Sequence, residues 1–314
     1  ASMRASHRVK NSEGEATGFM IDGRFYTDYE IKEKAGYIEN LTVQKDGAIE
    51  PETPLPEMGY KEAVNSAASE KIERENPFRR DIQEEFRQWK SRENHGVLQL
   101  EGARQTGKTT ELLKFAYKSY EYVIYVDITR DNGSFAEFVD SPCTALDMEV
   151  YCRKAKLPHF VDSKKTILII DEIQESARTY NAIRTMHREL ACDLAVTGSY
   201  LGRVVANKEF FLPAGTVELH SLLPLSFREF CRVFQCEETL DKVDLYGGGD
   251  SAEYEVLDRA YELYRRIGGY PEAVKRYLGT RDMEECHNVI GNLLHIFKEE
   301  SRHYFQSGRE VEVF

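Results

Sequence analysis

Short apolar blocks alternate along the middle of the chain with segments in which apolar positions recur every three or four residues. This alternation is typical of parallel strands that are joined by crossover helices. It predicts an α/β fold: a three-layer core with a doubly wound parallel sheet, which binds its ligand beyond the carboxyl ends of the strands. The five expected strands are Val97–Glu101, Tyr122–Asp127, Thr166–Asp171, Asp193–Gly198 and Thr216–His220.

Residues 13–50 have the pattern of a small β-rich module. Two Asp-Gly pairs favour the two-residue type I′ turn of a β-hairpin: Asp22-Gly23, between Ala16–Ile21 and Arg24–Thr27, and Asp46-Gly47, after Leu41–Gln44. Residues 49–57 hold three of the nine prolines together with acids, which is typical of an extended linker. We expect the accessory module and its linker to occupy residues 1–58 and to carry no catalytic group.

Helical patterns flank the expected sheet on both sides. Before it, apolar residues recur at helical spacing and are expected to pack on the core: Phe78, Ile82, Phe86 and Trp89. After Phe230 the strands stop. Three helices then follow: one capped by Asp250 and Glu253, a second beginning at Pro271, and a third capped by Asp282 and Glu285. We therefore expect a core over 59–235 and a helical lid subdomain over 236–314.

Composition narrows the class of protein. Of the 314 residues, 41% are hydrophobic and 31% charged, as in ordinary soluble proteins, and no apolar run reaches the ~18–20 residues of a membrane span. The six cysteines lack a C-x-x-C pair, which favours free thiols and a cytoplasmic location. The net charge of −12 argues against general affinity for nucleic acid. Short basic clusters such as Arg79-Arg80 and Arg265-Arg266 are interpreted as solvated helix faces.

A complete G-x-x-x-x-G-K-[ST] phosphate loop lies between the first core strand and a helical segment. Its two glycines let backbone N–H groups converge on a polyphosphate, at the positive end of the following helix. We expect Lys108 to contact the β- and γ-phosphates and the Thr109 hydroxyl to hold Mg²⁺. The predicted nucleotide-binding residues are Gly102, Ala103, Arg104, Gln105, Thr106, Gly107, Lys108, Thr109 and Thr110.

Two further strand ends carry candidate catalytic groups. Asp171 follows four apolar residues and is expected to hold Mg²⁺ through water, while Glu172 is the candidate general base for a water that attacks the γ-phosphate. An acid directly after the aspartate favours hydrolysis over phosphotransfer, although a solvent-facing acidic pair is an alternative. At the next strand end, Thr197 and Ser199 could contact the γ-phosphate or the attacking water, and Ser199 is the preferred candidate. The alternative is a simple turn at Gly198.

Taken in order, the motifs resemble those of prokaryotic AAA-type ATPases that end in a domain of unknown function. The motifs are the phosphate loop, Ile-Asp-Glu-Ile-Gln at 170–174, Thr-Gly-Ser at 197–199, Pro-Leu-Ser-Phe-Arg-Glu-Phe at 224–230 and Gly-Gly-Tyr-Pro-Glu-Ala-Val at 268–274. The resemblance implies an additional-strand P-loop core that uses ATP as its nucleotide. It also includes Arg104, Gln105 and Gln174 without assigning their roles.

The chain departs from that family in three places. The family pattern Ala-Gly-Arg before the last core strand is Ala214-Gly215-Thr216 here. The missing arginine could have neutralised transition-state charge, so slow hydrolysis is expected unless Arg203, Arg228 or a neighbouring subunit supplies that charge. The β-rich module is not a standard part of the family. The family also continues past the lid, so we expect this sequence, ending at Phe314, to be a shortened form.

The first functional hypothesis is a Mg²⁺-dependent ATPase that couples ATP binding and hydrolysis to lid movement, acting on an unidentified protein or assembling with its own copies. The second is a switch or scaffold that binds ATP and hydrolyses little of it. A third, an ATP-driven remodeller of nucleic acid, rests on family analogy alone and conflicts with the net charge.

Overall fold

The computed structural model describes residues 3–34, 37–199, 209–211, 215–244, 246, 248 and 250–304. Its N-terminal part contains six short strands and one helix. A four-stranded sheet has the order β3-β2-β1-β6, and β4 pairs with β5 as a separate hairpin. The elements are β1 (Ala5–Lys10), β2 (Ala16–Ile21), β3 (Arg24–Thr27), α1 (Asp28–Glu33), β4 (Leu41–Val43), β5 (Ile49–Pro51) and β6 (Glu57–Gly59).

The turn between β2 and β3 has the predicted geometry. Asp22 and Gly23 both have positive φ angles, 48° and 77°, as a type I′ turn requires. The extended linker expected at 49–57 is wrong in part, because β5 and the start of β6 lie there. Proline density is a local signal, and pairing of β5 with β4 overrides it by burying Ile49 in the core of the module.

The central part of the chain forms the predicted parallel sheet, with the order β11-β7-β10-β9-β8. Four strands have the predicted bounds and the fifth begins and ends one residue later. The strands are β7 (Val97–Glu101), β8 (Tyr122–Asp127), β9 (Thr166–Asp171), β10 (Asp193–Gly198) and β11 (Val217–Ser221). The core helices are a π-helix (Lys61–Ser66), α2 (Ala67–Glu75), α3 (Ile82–Ser91), α4 (Lys108–Ser119), α5 (Ser134–Asp140), α6 (Ala145–Lys154) and α7 (Ala177–Glu189).

Both faces of this sheet are covered, which makes the three-layer α/β core that the pattern predicted. On one face, Ile82, Phe86 and Trp89 of α3 pack with α4 against β7 and β9. On the other, α5, α6 and α7 bury a larger apolar cluster against β8, β9 and β10. Phe78 differs from the expectation, because it packs with Phe230 and Ile267 of the C-terminal helices rather than on the sheet.

The C-terminal part is helical, as expected. Its helices are α8 (Phe227–Val233), α9 (Glu237–Leu240), α10 (Ser251–Ile267), α11 (Pro271–Thr280) and α12 (Met283–Tyr304). Helix α8 precedes the lid boundary expected at residue 236, but its Phe230 and Cys231 pack with Ile267 and Leu257 of α10, so α8 is counted with the lid below. The predicted capping box is present at α10, where the side chains of Asp250 and Glu253 each accept a hydrogen bond from the other residue's backbone N–H. Within the described part of the chain, no helix combines the length and apolar character needed to cross a bilayer.

Candidate active site

The phosphate loop lies between β7 and the first turn of α4, at the carboxyl edge of the sheet. Its backbone needs glycine at two positions. Gly107 has φ 97° and precedes the helix, while a Cβ on Gly102, at φ 155°, would lie 2.2 Å from the Leu222 carbonyl oxygen. Gln105 also has a positive φ of 61°. The loop is therefore held in a conformation that few residues adopt, which is typical of a functional backbone.

Lys108 and Ser199, two predicted site residues, lie next to each other. The Lys108 ammonium donates hydrogen bonds to the Gly102 and Ala103 carbonyl oxygens, at 3.0 and 2.9 Å, and to Ser199 Oγ at 3.1 Å. The Thr197 hydroxyl instead donates to the Leu100 carbonyl inside the sheet, at 3.0 Å. This difference supports Ser199 over Thr197 as the group that contacts a bound phosphate.

Thr109 and Asp171, the predicted metal ligands, are also brought together. The Thr109 hydroxyl donates to Asp171 Oδ2 at 2.6 Å, and the Glu172 amide donates to Asp171 Oδ1 at 2.9 Å. Burial raises the pKa of the Asp171 carboxyl, and the hydrogen bonds from Thr109 and Tyr125 oppose this effect. A buried carboxylate is costly without a cation, so the site favours a bound positive charge.

These two side chains fit Mg²⁺ because a hydroxyl and a carboxylate are hard oxygen ligands, and Mg²⁺ in nucleotide sites takes one or two such ligands together with phosphate oxygens and water. Their direct 2.6 Å contact shows that one small cation could be reached by both. Sequence reasoning therefore selected a pair of residues that the fold does place together.

Tyr125 is a third member of this cluster that sequence reasoning missed. Its hydroxyl donates to Asp171 Oδ2 at 2.8 Å from the neighbouring strand β8. Burial and the adjacent Asp171 carboxylate raise the pKa of the Tyr125 hydroxyl, which therefore remains protonated as a donor. In the sequence, Tyr125 is visible only as a tyrosine two residues before the acidic end of an apolar strand. The pairing of β8 with β9 is needed to show that this tyrosine lies near Asp171.

The candidate base Glu172 has an unusual backbone and two side-chain neighbours. Its φ of 54° lies in the left-handed region, and the residue precedes a short 3-10 helix over Ile173–Glu175. Arg104 Nη1 lies 3.8 Å from Glu172 Oε1, and the Gln174 amide donates to Glu172 Oε2. Buried Gln174 keeps its Oε1 without a hydrogen-bond partner among the described residues. Arg104 and Gln174, whose roles the sequence left open, thus both contact the Glu172 carboxylate.

The proposed sources of positive charge have different outcomes. Arg203 lies outside the described residues, as does Ala214 of the run in which the family arginine is replaced by Thr216. Arg228 is exposed on α8, where its guanidinium contacts Asp241 at 2.7 Å and Glu237 at 3.8 Å. Its partners are therefore acids of the lid.

Arg80 is the second residue that the sequence interpretation missed. A solvated basic face at Arg79-Arg80 is wrong for Arg80, which is 4% exposed. Its Nη1 donates to the Thr106 carbonyl of the phosphate loop at 3.0 Å, and its Nε pairs with Glu229 at 3.0 Å. Two adjacent basic residues near a proline gave no sign of this long-range pairing, since Glu229 follows 149 positions later.

The segment that carries the candidate site matches a known protein family. Residues 94–231 match the model of a family described as AAA domain, and this segment contains every residue of the predicted site. A search of curated proteins gave no significant match.

Among solved structures, a Walker-type ATPase of Pyrococcus abyssi is 16% identical, covering 72% of this chain and 74% of its own, with a TM-score of 0.42. The Drosophila ORC bound to DNA is 12% identical, covering 73% and 70%, with a TM-score of 0.41. The ORC2 protein of Aeropyrum pernix is 13% identical, covering 69% and 68%, with a TM-score of 0.31. At such scores these similarities carry no argument about function.

Proposed function

We propose that this protein is an AAA-type P-loop ATPase that binds ATP with Mg²⁺, hydrolyses it, and couples the reaction to movement of its helical lid; the match of residues 94–231 to the AAA domain family supports this proposal. The single observation that carries the proposal is the convergence of three predicted groups at one sheet edge. The Lys108 ammonium lies inside the phosphate loop, and Asp171 contacts the first turn of α4. Glu172 is the next residue in the sequence, and its carboxylate lies near Arg104. These are a phosphate ligand, a metal ligand and a base in neighbouring positions.

Each group has a distinct task in this proposal. The loop amides and the Lys108 ammonium bind the phosphates, and Ser199 contacts the γ-phosphate end because it shares the Lys108 hydrogen-bond network. Thr109 and Asp171 hold the Mg²⁺, which when bound neutralises charge on the phosphate oxygens. The Glu172 carboxylate accepts a proton from the attacking water, and the Gln174 amide orients that carboxylate.

The proposed movement of the lid is supported by the position of the site next to the lid helices. Leu222, whose carbonyl borders Gly102, begins the connection from β11 into α8, so the loop and the lid helices meet through a few residues. Loss of the γ-phosphate removes contacts on the loop side of this junction, and the lid then moves against the core. ATP and ADP are the proposed ligands, and an unidentified protein or further copies of this chain are the proposed partners.

A phosphate-release assay tests the enzyme assignment. We expect the parent to release phosphate from ATP in the presence of Mg²⁺, and Glu172→Gln to bind ATP with parental affinity in calorimetry while losing at least about 100-fold in turnover. Glu93→Gln, which changes an exposed acid outside the site, is the control and should turn over normally. A Glu172→Gln protein with the parental rate would show that another group acts as the base.

The ATP-dependent switch remains a second candidate function, favoured by one specific observation. Thr216 replaces the family arginine, and Arg228 is occupied by lid acids, so charge stabilisation within one subunit is reduced. The same assay separates the two functions: sustained release supports the enzyme, whereas one tightly held ATP per chain supports the switch. Running the assay with both ATP and GTP shows whether the protein prefers adenine or guanine nucleotides. Running it at several protein concentrations tests whether a neighbouring subunit supplies an arginine, which would make the rate per subunit rise with concentration.

A further inference from the structure

Arg80 joins three segments that are far apart in the sequence. Its Nη1 donates to the Thr106 carbonyl at 3.0 Å, its Nη2 donates to the Leu223 carbonyl at 2.6 Å, and its Nε donates to Glu229 Oε1 at 3.0 Å. These four residues are called the Arg80 junction below. The phosphate loop, the connection after β11 and the first lid helix thus share one side chain.

The junction needs a guanidinium rather than any positive charge. Three different nitrogens of one planar group point at three acceptors, a geometry that a lysine ammonium on a single flexible stem cannot reproduce. The Arg80 and Glu229 side chains are only 3% and 7% exposed, so the ion pair is desolvated. Removing one partner leaves a buried charge without its counter-charge, which is strongly unfavourable. Arg80 and Glu229 are therefore expected to stay paired or to separate together with the segments that carry them.

On the loop side, the contact atom belongs to the part of the backbone that would hold phosphate. Thr106 lies between Gln105 and Gly107, which both have positive φ angles of 61° and 97°. The Thr106 hydroxyl also donates to the Ala103 carbonyl within the loop, at 3.0 Å. The direction of the Thr106 carbonyl is therefore set by the loop conformation, and a change of that conformation alters the Arg80 contact.

On the lid side, the contact atom belongs to the cap of α8. Glu229 Oε2 accepts from the Ser226 amide at 2.9 Å in a capping box, and Glu229 Oε1 accepts from both Arg80 and the Asp81 amide. The carboxylate thereby fixes the N-terminal end of α8 next to Arg80. Movement of this helix away from the core must break the same contacts that orient Arg80.

We propose that Arg80 is a positioning residue that couples the phosphate loop to the lid, so that ATP bound in the loop strengthens docking of α8 and a docked α8 strengthens ATP binding. The proposal rests on the proposed function, because it requires the loop to bind ATP. The coupling is reciprocal, since two sites that bias one shared contact must affect each other equally.

The test compares Arg80→Lys and Glu229→Gln with a matched control, Arg232→Lys, in the full chain. Arg232 also holds α8 to the segment before α3, through the Arg79 carbonyl and Asp81 Oδ1, each at 2.9 Å, but it lies outside the junction. Glu229→Gln keeps a capping-box residue type, so α8 retains its cap. Affinity is measured with a fluorescent ATP analogue and Mg²⁺, and docking by hydrogen exchange of the Phe227–Val233 amides with and without ATP.

In the parent, ATP should slow exchange in α8. Arg80→Lys and Glu229→Gln should still bind the analogue, with a dissociation constant raised by about tenfold as expected for a coupling contact, but ATP should no longer slow α8 exchange. Arg232→Lys should keep the ATP-dependent slowing even where its basal exchange is faster. A merely structural role of Arg80 would raise basal exchange and leave the ATP response.

The outcomes separate the two proposals. A folded parent that binds no ATP overturns the proposed function and the coupling together. A parent that binds ATP without slower α8 exchange, or an Arg80→Lys or Glu229→Gln protein that keeps the parental response, overturns the coupling alone. If Arg80→Lys does not fold, Glu229→Gln decides from the lid side of the same contact.

Discussion

The Thr109 hydroxyl donates a 2.6 Å hydrogen bond to Asp171 Oδ2, which joins the first turn of α4 to the end of β9. Tyr125 donates to the same oxygen from β8, at 2.8 Å. Two other elements, α4 and β8, therefore fix the orientation of this buried carboxylate at the end of β9. If Asp171 serves Mg²⁺, its geometry depends on Tyr125 as well as on the phosphate loop.

Tyr125→Phe should weaken the use of Mg²⁺ without removing ATP binding. The ring and its packing remain, but Asp171 loses one of the donors that orient it. We expect the Mg²⁺ concentration for half-maximal phosphate release to rise about tenfold, the lower end of effects from such supporting residues. Tyr117→Phe, on α4 and without a contact to Asp171, is the control. An unchanged Mg²⁺ requirement would remove Tyr125 from the site.

Arg104→Gln tests whether the loop arginine replaces the charge that is missing at Thr216. Arg104 Nη1 lies 3.8 Å from Glu172 Oε1, beside the place where a γ-phosphate would meet the base. We expect kcat for ATP to fall at least tenfold, roughly the minimum for loss of a charge that acts in the transition state, with KM changed by less than about threefold. Steady-state kinetics measures both values. Arg188→Gln, at the far end of α7, should change neither, and an equal loss in both arginine variants would contradict the assignment.

The parts of the site that depend on local sequence could be predicted, and the parts that depend on long-range contacts could not. Gly102, Gly107 and Lys108 must stand at fixed spacing because one turn of backbone surrounds one polyphosphate. Buried parallel strands are short apolar runs, so the end of β9 at Asp171 was visible as well. These features belong to single segments and need no knowledge of the fold.

Tyr125 and Arg80 act through partners on other segments. Asp171 lies 46 positions after Tyr125, and Glu229 lies 149 positions after Arg80. No spacing rule connects such pairs, because tertiary packing alone brings them within hydrogen-bond distance. The same reason explains β6, which pairs in parallel with β1 although its residues follow a proline-rich stretch.

Asp193→Asn should change the acid stability of the core, far from the phosphate loop. Burial raises the pKa of this carboxyl, but hydrogen bonds from His95, Tyr120 and Lys164 outweigh burial and lower it to about 2. A depressed folded-state pKa stabilises the fold fully above the unfolded value of about 4, and this contribution is lost as the pH falls towards 2. The shift of roughly two units corresponds to about 2–3 kcal/mol.

Urea unfolding at pH 6 and pH 3 measures this contribution. The parent should lose more free energy of unfolding between the two pH values than Asp193→Asn does, because only the parent has this carboxylate to protonate. Asp258→Asn, an exposed change on α10, should behave like the parent. Equal pH dependence in the parent and Asp193→Asn would mean that the Asp193 contacts do not stabilise the folded state.

Tyr60→Ala should uncouple the N-terminal β-rich module from the core. Tyr60 is 5% exposed and its ring lies between the modules, 5.3 Å from the Phe25 ring and 4.8 Å from the Tyr122 ring. Truncating a buried aromatic residue costs about 3 kcal/mol or more. Polar contacts also join the module to the core, from Ser12 to Glu121 and from Lys165 to Ser12 and Glu13. They are half-buried or exposed, so they do not replace the lost packing.

Calorimetry distinguishes a docked module from an independent one. We expect one cooperative transition in the parent and two in Tyr60→Ala, with the β-rich module unfolding at the lower temperature. Saturating ATP should then raise only the upper transition, because a ligand stabilises the unit that binds it. Tyr29→Ala removes a tyrosine that is 61% exposed and should keep the single transition. Two transitions already in the parent would show that the Tyr60 contacts do not make the module and the core one folding unit.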